Sequence, residues 1–256
     1  MISKDYAVPE SKFSWASSPS ARLQACKGYL VVIWLRNLWT TKFKEMKKKE
    51  TSFYHLVLDK SGSMTSHYEQ TLDALNEKLS SLKNIQKRNP ETSIKVSLSL
   101  FSDEHELVME DKSADKLKKI SESDYVVNGL TALIDAIGLA INRMERKHGE
   151  KIQNGDATAT IVIFTDGHEN ASKEYKFEQV ANKINELKAS GNWSFVFVGA
   201  DIDAWQSASQ LNFEQSKVYS SRKDDVKTTM KYLADQFEAS IREKKKSKSW
   251  LGFMKK

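Results

Sequence analysis

The sequence predicts an α/β fold: a mostly parallel sheet with helices on both faces and one antiparallel edge strand. Three observations carry this expectation. The runs Phe53-Tyr-His-Leu-Val-Leu58, Ala159-Thr-Ile-Val-Ile-Phe164 and Trp193-Ser-Phe-Val-Phe-Val198 are near-continuously apolar and short, as strands buried on both faces must be. The segments between them place apolar residues three and four apart, the spacing of an amphipathic helix. From Phe53 onward the two patterns alternate, which is the signature of parallel strands joined by crossover helices.

Taken in order, Phe53–Asp59 reads as a buried strand. Tyr68–Arg88 carries Leu72, Leu75, Leu79, Leu82 and Ile85 at helical spacing and stops before Asn89-Pro90. Ser93–Ser102 alternates Ile94, Val96, Leu98 and Leu100. Glu106–Glu110 follows after so tight a connection that it must turn back as an antiparallel edge hairpin. Thr131–Lys147 is a helix with Leu133, Ile134, Ile137, Ile141 and Met144 on its core face. Ala159–Phe164 is the next strand and ends in Thr165-Asp166-Gly167. Phe177–Ala189 is a helix closed by Ser190-Gly191, and Trp193–Val198 a strand. Ala204–Gln210 reads as a short helix, Lys217–Ser220 as an edge strand, making six in all, and Asp224–Lys244 as a long final helix.

The net charge of +6 is unevenly spread. Residues 1–45 carry 7 basic and 3 acidic side chains and residues 242–256 carry 7 and 1, which leaves the segment 46–241 at −4. An acidic core lacks the basic face that displaces counterions from phosphates, so a nucleic-acid partner is not expected. The lone cysteine, Cys26, excludes an internal disulfide and is compatible with a cytoplasmic protein.

Within residues 1–45, Ser11–Ser20 is Ser-rich and aperiodic, and the apolar burst Tyr29–Leu35 is too short for a bilayer span of about 20 residues. Residues 1–45 read as an N-terminal extension outside the fold, with Met46 as a candidate initiator. The alternative is membrane association through residues 28–39. Residues 243–256 form a basic tail holding Trp250, Leu251, Phe253 and Met254, a weak case for membrane-surface contact.

Asp59-Lys60-Ser61-Gly62-Ser63 places a carboxylate and two hydroxyls at alternate positions where the first strand meets a loop. Gly62 is expected to let the loop curl so that the three point one way. In an open parallel sheet, ligands bind beyond the carboxyl ends of the strands, where the strand order reverses. Asp166 ends another central strand, and Thr131 opens a helix between the two. If the loops converge, Asp59, Ser61, Ser63, Thr131 and Asp166 offer five oxygen groups, which water and a ligand would complete to the octahedron Mg²⁺ demands. Three of the five are neutral hydroxyls, so the ion keeps an appetite for one more anionic oxygen, such as the carboxylate of a partner protein.

These residues resemble the metal-ion-dependent adhesion site (MIDAS) of the von Willebrand factor type A (vWA) domain. That pattern is Asp-x-Ser-x-Ser, then a distant Thr, then an Asp at the end of the fourth strand, often within Thr-Asp-Gly. The resemblance covers about residues 52–242. It implies a Rossmann-like, doubly wound sheet of strand order 3-2-1-4-5-6, a bound Mg²⁺ or Mn²⁺ held by Asp59, Ser61, Ser63, Thr131 and Asp166, and a protein partner presenting Asp or Glu. It implies a binding module and no enzyme. The alternative is a Mg²⁺-dependent phosphohydrolase. Phosphatases that open with Asp-x-Asp use the second Asp as general acid and base, and Ser61 stands in its place here.

The ordinary readings are helix capping for Asp59, Ser61, Ser63 and Thr131, and a plain turn for Asp166-Gly167. His168 reads as a solvated loop histidine, Asp201 and Asp203 as caps of the helix that follows, and Lys60 as a solvated loop residue able to steer an acidic partner.

Overall fold

A computed structural model describes residues 50–166, 169–199, 211, 213, 218–220 and 232–243. The chain divides into two units, Met1–Lys48 and Lys49–Lys256, and all described residues belong to the second. The extension 1–45, Met46, the segment 28–39, His168, Asp201, Asp203, the short helix expected at 204–210 and the tail from 244 lie outside the described residues.

The strands are β1 (Glu50–Asp59), β2 (Thr92–Phe101), β3 (His105–Ser113), β4 (Ala157–Thr165), β5 (Trp193–Gly199) and β6 (Val218–Ser220), in the spatial order β3-β2-β1-β4-β5-β6. All neighbours pair in parallel except β2 with β3. The helices are α1 (Tyr68–Arg88), α2 (Leu133–Gln153) and α3 (Phe177–Ala189), and residues 232–243 are helical as well. This is the expected α/β architecture. The chain runs outward through β2 and β3 and then restarts at β4 on the other side of β1. The strand order reverses between β1 and β4, and the carboxyl ends of these two strands are where such a sheet places a site.

Side chains alternate across β1 and supply two cores. Tyr54, Leu56 and Leu58 meet Leu72, Leu75, Leu79, Leu82 and Ile85 of α1 and Leu233, Phe237 and Ile241 of the helix at 232–243. Phe53 and Val57 face the other way, against Ile134, Ile137, Ile141 and Met144 of α2 and Val180 and Ile184 of α3. Each fully buried Leu, Ile or Val contributes roughly 1.5–3 kcal/mol by leaving water, so the helical stripes read from sequence are the stabilising faces.

The element ends differ from expectation for identifiable reasons. β1 begins at Glu50 because residues 50–52 pair with Thr92–Ile94 through the backbone, which needs no apolar side chains. β3 runs on to Ser113 through a bulged ladder. Its Asp111 adopts φ 47° and donates its N–H to Ser97 Oγ at 3.0 Å. α2 starts two residues later than expected and continues to Gln153, its last turn held by the fully buried Ile152. Gly191, at φ 73°, follows α3 as anticipated.

Candidate metal centre

Leu58 pairs with Phe164 in the β1–β4 ladder, so the next residues, Asp59 and Thr165, emerge side by side. The Thr165 hydroxyl donates to Asp59 Oδ2 at 2.6 Å, and the Ser61 N–H donates to Asp59 Oδ1 at 2.7 Å. Asp59, Ser61, Thr131 and Asp166 are buried, while Ser63 is exposed. Ser61 Oγ and Ser63 Oγ lie 3.1 Å apart, so the alternation of Asp59, Ser61 and Ser63 does turn the two hydroxyls toward each other.

None of these three caps α1. A short 3₁₀ turn, Gly62–His67, intervenes, and the residue preceding α1 is His67. Nor is the glycine of the motif the strained one. Gly62 has no positive φ, and a Cβ there would meet only the Gly129 carbonyl at an ordinary 3.5 Å. Gly129 carries the constraint: its φ is +80°, and a Cβ would fall 2.0 Å from Asp103 Oδ1.

The segment 125–131 runs beside the motif and is tied to it along its length. Tyr125 donates its hydroxyl to the Asp59 carbonyl at 2.7 Å, Asn128 N–H reaches the Lys60 carbonyl at 2.8 Å, and Gly62 N–H reaches the Gly129 carbonyl at 3.0 Å. Thr131 is no N-cap, because Ala132 takes that position without a side-chain bond. The orphan N–H groups opening α2 are satisfied by the loop after β4: Ile134 N–H by Glu169 Oε2 at 2.9 Å and Asp135 N–H by Ser172 Oγ at 3.0 Å. The Thr131 N–H donates to the Asn170 side-chain Oδ1 at 2.9 Å, and the Thr131 carbonyl accepts from the Asn170 N–H at 3.0 Å. The loops bearing Asp59, Thr131 and Asp166 are therefore joined by hydrogen bonds at the same edge of the sheet.

Lys60 is not solvated as expected. Its ammonium pairs with Glu106 at 3.0 Å and is only 15% exposed, so its charge is already engaged.

The electrostatics favour a cation. Burial pushes the Asp59 carboxyl up to about 6; the bonds from Thr165 and Ser61 pull it back, and the nearby Asp166 raises it further. Asp166 Oδ1 is buried and has no hydrogen-bond partner among the described residues. A buried carboxylate oxygen left without a donor costs several kcal/mol unless something positive reaches it. Among the described residues no three of His, Cys, Asp and Glu gather to hold a metal, so a cation here has to recruit hydroxyls. Ser61 and Ser63 provide them, and the residues present fit a hard divalent ion.

Thr165 and Tyr125, which hold Asp59 from two sides, were not singled out from sequence. The signal for Thr165 was its place next to Asp166 at a strand end; nothing local marks Tyr125. A cavity of about 380 Å³ lies elsewhere, at the amino ends of the strands, against Ser52, Thr158, Ser194 and Phe237. It has no part in this site.

An open, mostly parallel sheet with paired acid and hydroxyl loops at its switch point defines a class of metal-dependent adhesion and interaction modules. The chain belongs to the von Willebrand factor type A domain family, whose model matches residues 55–239. Domains of this family are typically interaction modules. Two solved structures share the fold. The D319A mutant of the PilB minor pilin from Streptococcus sanguinis is 13% identical with a TM-score of 0.53, over 77% of this chain and 63% of that one. The pilus adhesin SpaC from Lactobacillus rhamnosus GG is 15% identical with a TM-score of 0.51, over 74% of this chain and 30% of that one. Proximal thread matrix protein 1 from the mussel byssus, solved with zinc in its MIDAS motif, is 14% identical with a TM-score of 0.45, over 73% of this chain and 46% of that one. The chain thus spans under half the length of the mussel protein and under a third of the adhesin. No curated protein matches it. No helix among the described residues is long and apolar enough to cross a membrane.

Proposed function

We propose that Asp59, Ser61, Ser63, Thr131 and Asp166 hold a Mg²⁺ or Mn²⁺ ion, and that the site captures an Asp or Glu side chain of a partner protein. The observation that carries this reading is the buried Asp166 Oδ1, without a hydrogen-bond partner among the described residues and close enough to Asp59 to raise its pKa. The bound ion would supply a positive, hard coordination position for one anionic oxygen.

The chain's own residues do the rest. Thr165 and the Ser61 N–H orient the Asp59 carboxylate. Ser61 and Ser63 add oxygen without adding negative charge, so two carboxylates leave a divalent ion short of full coordination by anions. Among the described residues no general base is assigned beside this set, which favours binding over hydrolysis. Residues 52–242 would form the binding module in a cytoplasmic protein, with 1–45 and 243–256 outside it.

The test is capture of partners from a native lysate on the immobilised full chain in Mg²⁺, with elution by EDTA. Asp59→Ala and Thr131→Ala should each abolish capture while the circular dichroism spectrum is unchanged. Capture that persists in EDTA would overturn the reading.

A further inference from the structure

The large hydrophobic side chains that stand most exposed among the described residues are Val126 at 59%, Leu130 at 56% and Tyr232 at 45%. Two of these three belong to the short segment that runs beside the Asp59 motif. Single exposed aliphatics need no explanation, but these two are held out by the backbone. On either side of Val126, Tyr125 is fully buried and bonded to the Asp59 carbonyl, and Val127 packs on the core. Leu130 sits between Gly129, whose backbone admits no side chain, and the buried Thr131, while its own N–H is bonded to Asp103 Oδ1 at 3.3 Å. Neither side chain can turn inward without breaking that lattice.

The charges nearby narrow what could cover them. Asp103 and Glu104 are exposed at the β2–β3 turn, Asp103 bonded to the Leu130 N–H, and the one lysine of the motif is paired with Glu106. A partner carrying a run of carboxylates would be repelled at this rim. A segment with a single acid beside apolar residues would not. Apolar side chains packed around an ion–carboxylate contact also exclude water from it, which strengthens the contact.

We infer that Val126 and Leu130 form an apolar shelf that reads the residues flanking the captured acid, so that the partner segment carries one Asp or Glu with a large aliphatic or aromatic residue within two positions. This rests on the metal-dependent capture proposed above and names the class of segment it takes.

The test is a displayed peptide library with a fixed central Asp, selected on the full chain in Mn²⁺ and eluted with EDTA. Selected peptides should be enriched in Leu, Ile, Phe or Trp within two positions of the Asp and depleted of further acids. The double variant Val126→Ser, Leu130→Ser should still select EDTA-released peptides, with the apolar enrichment lost. EDTA-released peptides without apolar enrichment, or enrichment that survives in the double variant, would overturn the shelf and leave metal-dependent capture standing. Selection that ignores EDTA would overturn both.

Discussion

Asp135 and Asp166 are both buried carboxylates in loops or turns at the same edge of the sheet, and they are treated in opposite ways. Asp135, in the first turn of α2, accepts three backbone N–H groups: Lys173 at 2.6 Å, Glu174 at 2.9 Å and Tyr175 at 2.7 Å. Its charge is spent on folding the loop after β4 against the helix. Asp166 keeps one oxygen without a donor among the described residues. Asp59 stands between the two, with a donor on each oxygen and a pKa still raised. Burial of an acid therefore does not mark a site. What sets Asp166 apart is a carboxylate oxygen that the protein encloses and leaves unmatched among the described residues.

The strongest way to break this contrast is to remove each acid in turn. Asp135→Ala strips three charge-assisted bonds from the loop after β4, and should cost about 4 kcal/mol of stability. Asp166→Ala, measured without metal, should cost little or stabilise, because it removes an unmatched charge. Urea unfolding of both variants in EDTA checks this. Equal losses would show that the two carboxylates do the same structural work and that the distinction fails.

Acidity sharpens the comparison further. Burial raises Asp59 from its ordinary 3.8 to about 6 in the folded protein. Between those values the native state holds more protons than the unfolded one, so this group's contribution to stability is complete below about pH 4 and is lost as pH rises through 6. Linkage puts the loss at roughly 3 kcal/mol for the metal-free protein. Asp59→Asn should remove that slope from a series of unfolding midpoints taken between pH 4 and 8. Mg²⁺ or Mn²⁺ should reverse it in the unmodified protein, because the ion binds the charged form. A metal-free slope that Asp59→Asn leaves untouched would overturn the assignment to Asp59; His55, which burial lowers to about 3, loses stability toward acid and so gives a slope of the opposite sign.

The distribution of what sequence could foretell follows from the range of the forces involved. Strands β1, β4 and β5 and the stripes of α1 and α2 are written in local periodicity, so they were legible. The placing of Asp59 and Asp166 at the sheet edge was legible because each follows an apolar run that reads as a buried strand. Asp135 was not, since an acid in the first turn of a helix is an ordinary favourable residue, and its acceptor role appears only when residues nearly forty positions away come back to it. The same holds for Lys60, whose partner Glu106 arrives with β3, and for the glycine requirement, which falls on Gly129 because Asp103 crowds it from another strand end. Local pattern fixes what emerges at the sheet edge; the matching of donors and acceptors there is settled by the convergence of loops.

The smallest effect is the most discriminating. Thr165→Val keeps the shape of the side chain and deletes only the hydroxyl that donates to Asp59 Oδ2 at 2.6 Å. That bond favours the ionised carboxylate, so its loss should raise the Asp59 pKa further and make the site harder to charge. Metal-free stability at pH 7 should change by about 1 kcal/mol. Calorimetric affinity for Mn²⁺ should fall about tenfold, roughly 1.4 kcal/mol, and the pH at which half the affinity is reached should move upward. If Thr165→Val binds Mn²⁺ more tightly, the hydroxyl is competing with the ion for the same carboxylate oxygen. Asp59 would then belong with Asp135, a carboxylate already satisfied by the fold, and Asp166 alone would be left to hold the cation.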